Sequence, residues 1–270
     1  MSLKVPIVMG ILNITPDSFS DGGRYNKSEA ALSHVAQMLE AGASIIDIGG
    51  YSSRPNAADI SVDEELARIY SITEKILREF PDAIISIDTF RTEVARPMLE
   101  LGVHIINDIS GGLQDPLMMK LVSEFSAPYV IMHKKGNPQN MQQLAAYDDV
   151  LVEVERFFIQ QINQARSLGI KDIILDPGFG FAKKIPHNYQ LLLQLECLTL
   201  FDLPILVGLS RKSMLYRLLN SSPGEVLAST AIVNFKALEQ GANILRVHDV
   251  KEAMHSIRLY TYMQEIYETI

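Results

Sequence analysis

The chain of 270 residues has a single cysteine, Cys197. No disulfide can form within it, and the expected setting is a reducing cytoplasm. Cys197 sits among leucines in NYQLLLQLECLTL, where a buried packing role is expected. Basic residues are also in short supply: 24 Lys and Arg against 32 Asp and Glu leave a formal charge of −8. Such a field repels nucleic acid and anionic membrane, so neither is an expected partner. An anionic substrate would need a local basic pocket. The longest apolar run, near 189–209, is broken by Glu196, Asp202 and Pro204 and is not a membrane span. Residues 1–13 show no basic head or small-residue cleavage site, so no signal peptide is expected. There is no Walker-type or dinucleotide fingerprint. No composition break or long polar linker divides the chain, and residues 1–270 read as a single domain.

What is present is one alternation, repeated. Short apolar runs occur at 6–13, 44–50, 83–90, 104–111, 128–136, 172–180, 204–213 and 244–250. Unbroken runs rich in Ile and Val suit parallel strands buried on both faces. Helical stretches lie between them. In 148–166 Val150, Val154, Phe157, Phe158, Ile162 and Ala165 recur at three- and four-residue steps, which predicts one buried stripe. Ser61-Val-Asp-Glu64 reads as a capping box opening a helix through Phe80, and Asp249-Val-Lys-Glu252 as a similar start. Gly42, Gly102, Gly169 and Gly241 each follow a helical run, as left-handed caps do. Eight strand-then-helix units predict an α/β fold of the (β/α)8 TIM-barrel type. A doubly wound open sheet is the alternative, with no need for a closing eighth strand.

In such a barrel the site forms at the C-terminal ends of the strands. Nearly every run here ends in residues that can do chemistry: Asn13, Asp88, Asn107 with Asp108, His133, Asp176, Arg211-Lys212, and Arg246 with His248. Any one Asp or Asn could simply cap an element. Asp108 is the weaker of its pair, and His133 could be a hydrogen-bonded core histidine. As a set, with Arg, Lys and His on one rim, they point to a site. Asp88, Asn107 and Asp176 offer acceptors and an amide, which suit a flat heterocycle with an amino-pyrimidinone edge. Arg246, His248 and Arg54 offer donors and charge for an anion such as a diphosphate. Asn13 offers an uncharged oxygen of the kind that helps hold Mg2+.

Seven stretches carry a resemblance: GILNITPDSFSDGG, SIIDIGGYSSRP, HIINDISG, MHKKGNPQNMQ, LDPGFGF, GLSRKS and RVHDV, in that order. The chain resembles the bacterial dihydropteroate synthases of folate synthesis, pterin-binding barrels, over nearly its whole length. The resemblance implies that 6-hydroxymethyl-7,8-dihydropterin diphosphate condenses with 4-aminobenzoate, by an SN1-like path through a pterin cation. It implies a pterin pocket of Asp88, Asn107, Ile109, Met132, Asp176, Phe181 and Lys212, with Asp88, Asp176 and Lys212 closest to the chemistry. It implies a diphosphate site of Asn13, Ser53, Arg54, Arg246 and His248, with Mg2+ on Asn13. It implies an aminobenzoate pocket of Phe19, Ser53, Pro55, Gly180, Phe181, Lys212 and Ser213. The polar, glycine-bearing end of GILNITPDSFSDGG then reads as a loop that closes over the site and excludes water. A homodimer through the later helices is implied as well. No Ser–His or Cys–His nucleophile is needed, because the amine is itself the nucleophile.

Departures from the common pattern lie in the second loop, where GGYSSRPN stands for GGESTRPG. Tyr51 replaces an acid, Ser53 a threonine and Asn56 a glycine. Ala182 follows LDPGFGF where glycine is usual. Two other readings fit the pterin-side residues: a methyl-folate barrel serving a corrinoid protein, and a non-catalytic pterin binder. The first has no use for GLSRKS, and the second rests only on the altered loop.

Overall fold

The computed structural model of the chain describes residues 5–14, 24–52, 59–136, 140–141 and 143–269. Its strands are β1 Ile7–Asn13, β2 Ile45–Gly49, β3 Ile84–Asp88, β4 Ile105–Asp108, β5 Tyr129–Met132, β6 Ile173–Asp176, β7 Leu206–Val207 and β8 Ile244–Val247. The helices between and after them are α1 Arg24–Glu40, α2 Val62–Glu79, α3 Thr92–Leu101, α4 Met118–Phe125, α5 Val150–Ser167, α6 Ile185–Leu193, α7 Ser213–Tyr216, α8 Leu227–Glu239 and α9 Val250–Thr269. A 3-10 segment, Leu195–Phe201, follows α6. Strand neighbours run β6-β5-β4-β3-β2-β1-β8-β7, every pair parallel. A single bridge from Leu175 to Ile205 links β6 to the approach of β7 and nearly closes the ring. This is the (β/α)8 barrel the alternation predicts.

The strands are apolar throughout because both faces are covered. One face packs on the helices, as with Ile46 and Ile48 of β2 and Ile85 and Ile87 of β3. The other fills the lumen: Met9, Ile45, Ile105, Val130, Ile174, Leu206 and Ile244 form a separate plug. Fully burying each such side chain is worth about 1.5–3 kcal/mol. Side chains alternate along a strand, so the residues two further on face the same lumen one layer higher. Those residues are Ile11, Asp47, Asn107, Met132, Asp176, Gly208 and Arg246. β3 adds Asp88, in register with Gly49 on one side and Asn107 on the other. The polar layer is thus the next storey of an apolar core.

The helices form for the reasons read from the sequence, with local corrections. Ser61 caps α2 by accepting from Glu64 N, but the Glu64 side chain turns to Arg68, so only half a capping box exists. Asp249 does not cap α9 with its carboxylate, which is taken by Arg211 at 2.6 and 2.9 Å. Asp149 caps α5, whose buried stripe is Val150, Val154, Phe158, Gln161 and Ala165, with Phe157 and Ile162 only partly covered. The four helix-ending glycines all take positive φ, from 91 to 106°. Cys197 is half-buried rather than buried, because the short 3-10 segment turns Leu195 and Leu198 inward instead. Among the described residues no helix is long and apolar enough to cross a membrane.

Candidate active site

The upper storey opens into a cavity lined by Asp88, Asn107, Ile109, Met132, Asp176, Phe179, Phe181, Gly208, Lys212 and Arg246. All seven residues expected around the pterin are there. Phe179 and Gly208 had not been expected. A Cβ on Gly208 would meet nothing within 4 Å, so this glycine leaves the floor open rather than easing a turn.

Each polar side chain is aimed by a specific contact. Asn107, buried at the end of β4, donates from Nδ2 to Asp47 Oδ2 at 3.0 Å. Arg246 rises from β8 and donates from Nε to the same Asp47 oxygen and from Nη2 to Asp88 Oδ2, both at 2.7 Å. Asp176 accepts the Gly178 N–H on Oδ1 at 2.7 Å. Lys212, at the N-cap of α7, places Nζ 4.4 Å from the centre of the Phe181 ring. Burial raises the Asp88 carboxyl to about 7, against the pull of Arg246. Burial also raises Asp176, opposed by the Gly178 N–H and Lys212. Burial lowers Lys212 to about 8, and Arg246 pushes the same way. The layer is thus a compact set of opposite charges held out of water.

The diphosphate side differs from expectation in two respects. Arg246 is engaged by Asp47 and Asp88, so it can meet an anion through Nη1 or by releasing Asp88. His248 is no cation: burial, then Arg246 and Arg211, lower it to about 4. Its Nδ1 lies 3.0 Å from Ser210 Oγ, and it can serve an anion only as a neutral N–H donor. Asn13 ends β1 with Oδ1 lying over Gly49. Among the described residues no group of three or more His, Cys, Asp or Glu is placed to hold a metal ion. On the aminobenzoate side, Gly180 lies against the Lys212 stem and Ser213 opens α7. Phe19, Ser53, Arg54, Pro55 and Asn56 lie outside the described residues.

Two residues set aside earlier have structural duties. Asp108 accepts from Ser110 N, Gly112 N and the Tyr129 hydroxyl, which fixes the turn after β4. His133 is buried and bonded to Lys183. Tyr51, standing for an acid, packs edge-to-face on Phe90 at 5.1 Å, with the Arg91 guanidinium 5.2 Å from its ring centre. Arg91 is held in turn by the buried Glu65 and by Asp59. An aromatic–cation contact therefore braces the rim where the common pattern has a carboxylate. Ala182 adopts φ 49°, a left-handed conformation that costs a non-glycine residue roughly 1–2 kcal/mol, which accounts for the usual glycine.

Asp47 is a further residue that sequence reading missed. It is fully buried, and one of its oxygens aims both Asn107 and Arg246. Its signal was a lone carboxylate inside SIIDIGG. Asp47→Leu would leave two buried donors unpaired, and ligand affinity should fall by about a hundredfold at the 1.5–3 kcal/mol of each charge-assisted bond. Asp47→Asn can present its carbonyl to both donors and should lose only about tenfold. Calorimetric titration with a pterin, beside circular dichroism for folding, checks the order; equal losses for the two variants would contradict it.

A glycine-floored slot between aromatic walls, with carboxylates, an amide and cations on one storey, defines a barrel enzyme built for a flat, donor-rich ring with an anionic arm. Comparison with known proteins agrees. The model of the pterin binding enzyme family matches residues 9–248. The dihydropteroate synthase of Escherichia coli K12 is 48% identical over 261 residues, covering 96% of this chain and 92% of that protein. The crystal structure of Yersinia pestis dihydropteroate synthase with a sulfonamide drug complex superposes with a TM-score of 0.92 at 44% identity, covering 98% and 96%. That of the Xanthomonas albilineans enzyme with 4-aminobenzoic acid gives 0.91 at 38%, covering 98% and 95%. The chain belongs to the pterin-binding enzyme family, in its dihydropteroate synthase branch.

Proposed function

We propose that this chain joins the methylene carbon of 6-hydroxymethyl-7,8-dihydropterin diphosphate to the amine of 4-aminobenzoate. A C–N bond forms, the C–O bond to the diphosphate breaks, and pyrophosphate and a proton are released. The observation that carries this reading is the one cavity that Asp88, Asn107, Asp176, Lys212 and Arg246 line together. Asp176 and Asn107 take the amino-pyrimidinone edge, since each keeps an oxygen that its own contact does not use. Met132, Ile109 and Phe181 hold the ring faces. Asp88 and Asp176 stabilise positive charge on the ring as the leaving group departs, a preorganised electrostatic effect. Arg246 receives the anion, with His248 donating as a neutral group. Lys212 and Phe181 border both reactants and aim the amine, with Gly180 and Ser213 beside them.

Mg2+ fits this donor set as an ion carried in by the diphosphate. The rim offers the uncharged Asn13 oxygen, and Mg2+ takes such a ligand while phosphate oxygens and water fill the rest. When bound it would neutralise the leaving group. We also infer a homodimer in the cytoplasm. Ile232 of α8 and Leu259, Tyr262 and Met263 of α9 are each more than half exposed, an apolar face suited to two-fold pairing.

The test is pyrophosphate release from the dihydropterin diphosphate with Mg2+, with and without 4-aminobenzoate. Release that depends on both substrates is expected. A protein that binds the pterin and releases no pyrophosphate would be a binder only, and the proposal would fail.

A further inference from the structure

Lys183 lies two residues past Phe181, and only 4% of it is exposed. Its Nζ lies 2.9 Å from His133 Nδ1 and donates to Gly178 O at 3.0 Å and to Phe181 O at 3.2 Å, with His133 O at 3.4 Å. All of these acceptors are uncharged. Burial drives His133 to about 2 and Lys183 to about 7, the latter against the pull of Asp176, so the imidazole is neutral and the lysine in its charged form donates to Nδ1. Nζ therefore ties the exit of β5 to the loop after β6.

That loop has little freedom beneath the clip. Gly178 has φ 70°, and a Cβ there would fall 2.0 Å from His133 O, so the backbone is pressed onto the β5 exit. Its N–H is the group that orients Asp176. Phe179 and Phe181, on the same few residues, form a wall of the cavity. The left-handed turn at Ala182 brings Lys183 back under the loop.

We propose that Lys183, with His133 as its acceptor, is a positioning residue for the reaction: it fixes the backbone that aims Asp176 and Phe181 at the pterin. This rests on the functional reading above. A buried amine whose charged form has only neutral acceptors contributes little or negatively to stability compared with an apolar group of similar shape. Position and stability can therefore be separated. Lys183→Met keeps the length and removes the donors. It should retain the wild-type melting temperature or exceed it, yet bind the pterin at least about tenfold more weakly, the loss expected when a charge-assisted clip is removed. Its kcat should fall together with its affinity.

His133→Leu should give a smaller loss, restored by His133→Gln, whose carbonyl supplies an acceptor. The double variant Lys183→Met/His133→Leu should bind no worse than Lys183→Met alone, since both act through one contact. Calorimetry and steady-state kinetics on wild type and variants decide. A folded Lys183→Met protein with pterin affinity and kcat within about twofold of wild type, the scatter of independent sites, would overturn the proposal. So would a lower melting temperature with unchanged affinity and kcat. Should Lys183→Met fail to fold, an unaffected His133→Leu would overturn it, and a loss rescued by His133→Gln would support it. Failure of the wild-type chain to bind the pterin would instead sink the functional reading itself.

Discussion

Asp176→Asn is expected to fold as a barrel and to lose pterin binding by about a hundredfold or more, because mispaired buried donors cost roughly 1–3 kcal/mol each. The geometry decides which way the new amide points. Asp176 Oδ1 accepts the Gly178 N–H at 2.7 Å. An asparagine keeps that bond only by turning its carbonyl to Gly178, which points its NH2 into the slot. The amino group and ring N–H of a pterin would then face a donor. The alternative rotamer satisfies the ligand but sets NH2 against the Gly178 N–H and loosens the loop. Calorimetric affinity within about twofold of wild type, far short of one lost bond, would remove Asp176 from the pterin site.

Lys212→Ala should reduce kcat/KM on the order of a thousandfold, combining a desolvated cation–π contact of about 2 kcal/mol with a charge-assisted bond of about 1.5–3 kcal/mol. Its Nζ stands over Phe181, and its stem covers Gly180. On the proposed reading it is the cation shared by the two pockets. Its charge also opposes the rise that burial imposes on Asp176. Ser213→Ala should cost only about tenfold, one ordinary hydrogen bond. Ser53→Ala should cost about the same on the same ground. Pyrophosphate release by the three variants, each confirmed folded by circular dichroism, gives the comparison. A folded Lys212→Ala enzyme within about threefold of wild type, the effect of an ordinary surface site, would show that Lys212 does not touch the reactants.

The barrel was legible because its strands are buried on both faces and so read as unbroken apolar runs. The same property blurred their ends. The run 204–213 contains only the two-residue strand Leu206–Val207, and 128–136 only Tyr129–Met132. Past those strands the chain stays apolar or buried because it turns over the site, as His133 and Lys134 do. The rim residues Asp88, Asn107, Asp176 and Lys212 were legible because chemistry at a strand end stands out against an apolar run. Asp47 was not, since a strand with two buried faces does not announce which one meets the lumen. The neutrality of His248 was equally hidden. It depends on burial and then on Arg246 and Arg211, surroundings that only the closed barrel assembles. Lys183 stood in the sequence as one of two adjacent lysines, and the fold buries it while Lys184 stays outside.

The ring of strands is thinnest between β6 and β7, where a single bridge joins Leu175 to Ile205. Asp176 follows one side of that gap directly, and Lys212 follows the other by way of the β7 exit. On the proposed reading a pterin held by both spans the seam of the barrel and acts as a rivet across it. Anything that binds only the closed arrangement draws the two lips together by mass action. Occupancy of the slot would then reinforce the barrel at the edge where its strands are least paired.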